Sequence, residues 1–154
     1  MSSPYNNVEL PNKTERKIAA HKRECTTLAF NPLGDVIATG GGDNLIKLWN
    51  VNTGKEISEL KGFTKAVTDV AMSLDNELIV GASLENKAVL WRLKTMRQAH
   101  AFIGHKDVIT SCRFSYARKS VITGSLDRTM KFWDIEKGIC SRTVTYFLKI
   151  NIRK

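Results

Sequence analysis

The sequence predicts an all-β chain made of three repeated four-stranded antiparallel units, set side by side in an array that does not close. Three observations predict it. The tryptophans at 49, 91 and 133 are separated by equal steps of 42 residues, and an acidic residue stands six positions before each one: Asp43, Glu85 and Asp127. His21 and His105 lie two such steps apart, with Phe63 midway. Within each step, β-branched segments of strand length alternate apolar and polar residues and are separated by Gly, Asn and Asp, the pattern of short strands joined by tight turns.

The elements follow in order. The first unit reads CTTLAF, a turn NPLGD, VIATG, a turn GGDN, and LIKLWNV. The second reads VTDVAM, SLDNE, LIVGA, SLENK and AVLWRL; the third reads ITSCRF, SYARK, VITG, SLDR and TMKFWDI. Each is followed by a turn (NTGK, LKTM, EKG) and a fourth strand (EISELKG, RQAHAFIG, ICSRTV). Residues 15–21 (ERKIAAH) read as the outer strand of a preceding unit. One further step along, the register meets Tyr146 and Phe147 and the repeat stops. The expected organisation is a flexible N-terminal segment over 1–15, three units with flanking outer strands over 16–145, and a divergent tail over 146–154.

A chain of 154 residues that is 42% hydrophobic is long enough for one ordinary core. Its 24 basic against 15 acidic residues, +9 net, favour acidic partners such as anionic headgroups, nucleic acid or acidic protein faces. The basic residues are spread along the chain, the nearest clusters being KTERK, HKR and KINIRK, so a solvated cationic surface is expected and a nucleic-acid groove is not. Cys25, Cys112 and Cys140 show no CxxC spacing and are odd in number, which points to reduced thiols in a cytosolic protein rather than a zinc site or a disulfide framework. No apolar run of signal-peptide or membrane-spanning length occurs, so neither secretion nor membrane insertion is expected. The glycine cluster TGGGD lacks the Lys-Ser/Thr and the following helix of a phosphate loop, and no cofactor is expected. Cys112, in the place of Leu28 and Val70, reads as a small core residue, and His100 as a half-exposed strand residue.

Gly104 and His105 before the first strand, Asp127 in the turn, and Trp133-Asp134 closing the third strand resemble the motif of the WD-repeat β-propeller. The resemblance implies a propeller fragment of three four-stranded antiparallel blades in an incomplete ring. It also implies one hydrogen-bonded network per blade: His21, Thr39, Asp43 and Trp49 in the first, and His105, Thr123, Asp127 and Trp133 in the third. The chemistry suits that role, because an indole N–H only donates, a hydroxyl and an imidazole do both, and a carboxylate accepts. A catalytic triad needs one constellation in one cleft, whereas this one recurs at the repeat step, so no enzyme is expected. The middle unit has Phe63, Gly81 and Glu85 in place of the polar residues and keeps Trp91. Apolar packing is expected to hold it, with the Trp91 nitrogen meeting water or a backbone carbonyl.

Over residues 17–144, a degenerate second unit between two regular ones and the ending KGIC-RTV look like the opening blades of the C-terminal propeller in the autophagy-related 16 family. That likeness implies a docking platform for protein partners of the autophagy machinery, peripheral association with autophagic membranes through those partners, and a cytoplasmic location at the phagophore assembly site. The loops HKRE, FTKA and HKDV carry Lys22, Arg23, Lys65 and Lys106, candidates for contact with acidic partners. Open blade faces suggest self-association. The alternatives are a WD-repeat subunit of another complex, such as ribosome assembly or a ubiquitin ligase, or a truncated product without function.

Overall fold

The computed structural model describes residues 18–116 and 119–145. They form twelve strands and, among the described residues, no helix: β1 (Cys25–Phe30), β2 (Val36–Gly41), β3 (Ile46–Asn50), β4 (Glu56–Leu60), β5 (Val67–Met72), β6 (Leu78–Ser83), β7 (Lys87–Arg92), β8 (Arg97–Ile103), β9 (Ile109–Phe114), β10 (Ser120–Ser125), β11 (Thr129–Asp134) and β12 (Cys140–Thr145). They pair in chain order into three antiparallel meanders, β1–β4, β5–β8 and β9–β12. The expectations for 1–15 and 146–154 fall outside the described residues. So do residues 15–17 of the outer strand read at 15–21; residues 18–24 carry no strand.

The register repeats with the sequence. Ile37 pairs with Trp49, Ile79 with Trp91 and Val121 with Trp133, so each tryptophan occupies the same rung of its sheet. Turns at matching places use the left-handed region: Asn44 (φ 70°), Asn86 (63°) and Arg128 (67°) between the second and third strands, and Gly54 (67°), Met96 (54°) and Gly138 (70°) between the third and fourth. Asn tolerates this conformation through its short polar side chain, whereas Met96 and Arg128 hold it against steric resistance.

The first strands pack on one another, β1 on β5 and β5 on β9, and the three sheets fan out from that line. Two apolar seams lie between them. Ala38, Ile46, Leu48 and Leu60 of the first sheet meet Val70, Ile79, Val89 and Trp91 of the second. On its other face the second sheet sets Val80, Ala82, Leu90 and Phe102 against Ile109, Cys112, Val121 and Trp133 of the third. Covered on both sides, the second sheet has strands that read as near-continuous apolar runs (LIVGAS, KAVLWR) instead of alternating ones. Cys112 is buried in the second seam, and His100 is half-buried on β8, stacked on Phe102.

Replacing Met96 with Gly removes the Cβ clash of a left-handed residue and is expected to stabilise the fold by about 1 kcal/mol. Gly138→Ala is expected to destabilise it, since the new Cβ would run into the His100 ring from a left-handed backbone. Urea unfolding midpoints of the two variants check both signs.

Candidate functional site

In the third sheet, Trp133 Nε1 donates to Thr123 Oγ1 at 2.8 Å, Thr123 Oγ1 lies 2.7 Å from His105 Nε2, and His105 Nδ1 lies 2.7 Å from Asp127. The first sheet has the same chain: Trp49 to Thr39 at 2.9 Å, Thr39 to His21 Nε2 at 2.9 Å, and His21 Nδ1 to Asp43 at 2.8 Å. The donors set the direction. The indole N–H fills one lone pair of the threonine oxygen, the threonine O–H then donates to Nε2, and a neutral imidazole has its proton on Nδ1 for the carboxylate. The structure thus brings each quartet together from four places: the loop before the first strand, the second strand, the turn after it and the third strand.

The carboxylates have a second task. The Lys22 amide donates to Asp43 and the Lys106 amide to Asp127, each at 2.9 Å, so the carboxylate holds the backbone of the loop in front of the first strand. Burial opposes the Asp43 charge, but the Lys22 amide, the His21 ring and the Leu45 amide together outweigh it and hold the carboxyl below 3.8. At Asp127 burial opposes the charge in the same way, and the Thr129 hydroxyl, the Lys106 amide and the His105 ring hold the carboxyl far lower still.

These groups have no free valence for catalysis. Both imidazole side chains are fully buried, both ring nitrogens are engaged, and Thr123 is sealed from solvent. A depression of about 310 Å³ reaches the Asp127 edge of the third quartet, but neither Thr123 nor His105 lines it. A substrate there would not reach the Thr123–His105 pair.

In the second sheet, Phe63 lies edge-on to Trp91 with ring centroids 5.6 Å apart, much as the His105 ring lies 6.2 Å from Trp133. Among the described residues neither a side-chain hydroxyl nor a backbone carbonyl accepts from Trp91 Nε1, because the threonine position is Gly81 and the space in front of it holds the side chains of Ile46 and Phe63. Glu85 nevertheless keeps the carboxylate's second task. It accepts from the Thr64 amide and hydroxyl, and Lys87 Nζ sits 3.0 Å from it. The middle unit has lost the relay and kept the loop anchor.

Lys22, Arg23, Lys65 and Lys106 stand exposed on the three loops so anchored, at one end of the fan. Among the described residues no carboxylate pairs with any of them. The sequence reading did not single out Asp69. Its carboxylate accepts from Thr27 of the first sheet at 3.2 Å, from the Cys112 amide of the third at 2.9 Å, and from Arg113. One side chain therefore ties all three sheets near their inner line. The signal was present in the repeat: Asp69 stands where the other units have Thr27 and Ser111, and Arg113 where they have Ala29 and Ala71.

The repeats match the family described as WD domain, G-beta repeat, over residues 12–50, 54–92 and 96–134, and the chain belongs to that WD-repeat family. Among individual proteins, it is 38% identical to Protein tipD of Dictyostelium discoideum over 142 residues, covering 92% of this chain and 23% of that protein. It is 30% identical to Autophagy-related protein 16 of Arabidopsis thaliana over 143 residues, covering 92% of this chain and 28% of that protein. A Lissencephaly-1 homolog of Caenorhabditis briggsae is 37% identical over 57 residues, 37% of this chain and 15% of that protein. The chain spans about a quarter of the length of the first two relatives.

Thr123→Val strands the Trp133 indole and His105 Nε2 together and is expected to lower stability by about 1–3 kcal/mol per orphaned group. Phe63→His is expected to destabilise as well, since Gly81 offers the new ring no hydroxyl. Chemical denaturation of both variants checks this. Folded-state carboxyl values below the unfolded ones make the stability from Asp43 and Asp127 complete above about pH 4, and lose it as pH falls through their lower folded values. Unfolding midpoints measured against pH should therefore fall in acid, and fall less steeply in Asp127→Asn.

Proposed function

We propose that the chain is a non-enzymatic docking platform for protein partners in autophagosome assembly. WD repeats suggest a protein-interaction scaffold, and three features support the finer reading. The polar quartets are consumed in fastening the sheets, which leaves recognition rather than chemistry to the surface. The loops fastened by Asp43, Glu85 and Asp127 present, at one end of the fan, cations that pair with no carboxylate among the described residues. The similarity to Autophagy-related protein 16 runs over 92% of the chain, whereas that to the Lissencephaly-1 homolog runs over 37%. The near-complete alignment is the observation that carries the autophagy assignment.

Recognition on this reading is electrostatic at the rim. Lys22, Arg23, Lys65 and Lys106 meet acidic residues of a partner protein, with backbone positions already set by Asp43, Glu85 and Asp127, so little ordering of the loops is required on binding. The setting is cytoplasmic, at the site of autophagosome assembly, with membranes reached through the partners.

Affinity capture with the chain as bait, beside a variant carrying Lys22→Glu, Arg23→Glu, Lys65→Glu and Lys106→Glu, tests the proposal. Autophagy proteins retained by the first and lost from the second, with binding that weakens as salt rises, are the expected outcome. Recovery of ribosome-assembly or ubiquitin-ligase proteins, or retention indifferent to the four reversals, overturns it.

A further inference from the structure

The loops of the cationic rim lie at one end of the sheets. Because each strand reverses the one before it, the turns joining first to second and third to fourth strands lie at the other end. There, over the boundary between the first and second sheets, runs a groove of about 140 Å³. It is lined by Leu48 and Ile57 of the first sheet and by Met72, Leu93, Met96 and Asn76 of the second. Its two walls come from neighbouring sheets that already pack on one another. At the corresponding boundary between the second and third sheets the His100 ring lies against Gly138, where the first boundary has Ser58 and Met96.

The turn that supplies Leu93 and Met96 departs from the repeat in two places. Gly54 and Gly138 take the left-handed conformation in the other units, whereas Met96 holds it at φ 54° against the resistance of its own Cβ. At the start of the same turn, Asn50 accepts from the Thr53 amide at 2.8 Å and Asp134 from the Glu136 amide at 2.9 Å. The second unit has Arg92 there, and a guanidinium can only donate. Local stability is given up twice in one turn, and the result is a thioether on the groove and a guanidinium beside it.

Arg92 and Lys94 line an adjoining depression of about 440 Å³ that shares Asn76 and Leu93 with the groove. Arg97 pairs with Arg92 across β7 and β8, so two like charges face each other. Glu77 is the one acidic residue on that depression, and among the described residues no carboxylate pairs with Arg92, Lys94 or Arg97. Asn76 Oδ1 is, among the described residues, the only buried side-chain oxygen or nitrogen without a hydrogen-bond partner. Such an atom calls for a donor.

We infer that this groove is a second docking site, and that its occupant is an extended segment of a partner protein carrying one large apolar side chain with a carboxylate a few residues away. The apolar side chain enters the groove, whose size is close to the ~150 Å³ of an apolar cavity that takes up benzene. A backbone N–H of the segment donates to Asn76, and the carboxylate meets Arg92, Lys94 and Arg97. A simple hydrophobe would leave the acceptor and the three cations unmet, and a purely acidic segment would leave the groove empty. The site stands apart from the rim, at the opposite end of the sheets.

A library of short random peptides displayed on phage and selected on the full chain is the probe. Enriched sequences are expected to combine Leu, Phe, Trp or Met with Asp or Glu a few residues away. Met72 and Met96 are two of the four methionines, so in the chain labelled on its methionine methyls the synthetic peptides should move both signals and leave that of Met130, on the third sheet, in place. Three variants suit the local backbone: Met96→Gly relieves the left-handed turn, Arg92→Asn restores the first unit's turn cap, and Asn76→Gly copies Gly34 at the same step of the repeat. Each should weaken peptide binding on the order of tenfold without loss of fold, so the affinity reads the groove and not stability. The chain with Lys22, Arg23, Lys65 and Lys106 reversed to Glu should bind these peptides unchanged, which separates failure of this site from failure of the rim. No enrichment over the Met96→Gly chain, equal binding by the three variants, or peptides that leave Met72 and Met96 unmoved overturns the inference. Met72 and Met96 signals that move on dilution put a second copy in the groove, and signals that move on removal of residues 1–17 put the chain's own segment there; either result overturns it too.

Discussion

A buried indole nitrogen has only one thing to offer, a proton to donate, and that constraint organises two of the three sheets. Trp133 stacks on Phe102 in the seam between neighbouring sheets, so its N–H is far from water and must find an acceptor inside the protein. Thr123 accepts, which turns its own proton outward to His105, which passes the requirement to Asp127 at the surface turn. The need created in the interior is discharged at a carboxylate that also grips the loop amide at Lys106. Interior packing and the placement of an exposed rim are thereby one mechanical system, and the rim on which recognition is proposed inherits its rigidity from a tryptophan in the core.

The middle sheet solves the same problem by different means. With Gly81 in the second strand there is no hydroxyl to relay a proton, and an imidazole would be stranded, so the position over the indole is taken by the hydrocarbon ring of Phe63. Glu85, one methylene longer than aspartate, still reaches the loop through Thr64 and is steadied by Lys87. The Lys87 ammonium also stands 5.7 Å over the Phe63 ring. The position flanked by apolar seams on both sides is the one that dispenses with the polar relay.

Much of this was legible in the sequence, because a repeat shows three times what a single segment shows once. The step of 42 residues located all twelve strands, and the recurrence of the His, Thr, Asp and Trp set argued against a triad before any distance was known. What was not legible was the joining of one sheet to the next. Asp69 serves Thr27 and Cys112 across two boundaries, and neither partner is marked in its own unit as needing a carboxylate. Glu85 read as a loss because only the histidine end of the aspartate's work has a sequence signature; the grip on the loop amide involves a backbone group, which no residue type announces. The outer strand expected over residues 15–21 was placed by its position ahead of the first unit; residues 18–24 carry no strand, and residues 15–17 lie outside those described.

The matched repeats and the sheets are out of phase. Residues 54–92 contain β4 of the first sheet together with β5–β7 of the second, and residues 96–134 contain β8 of the second with β9–β11 of the third. The segment that recurs in the match is therefore not the segment that packs as a sheet. Each later segment opens on the outer strand that completes the sheet behind it, β4 on β3 and β8 on β7, so consecutive segments are joined by strand pairing as well as by the chain itself.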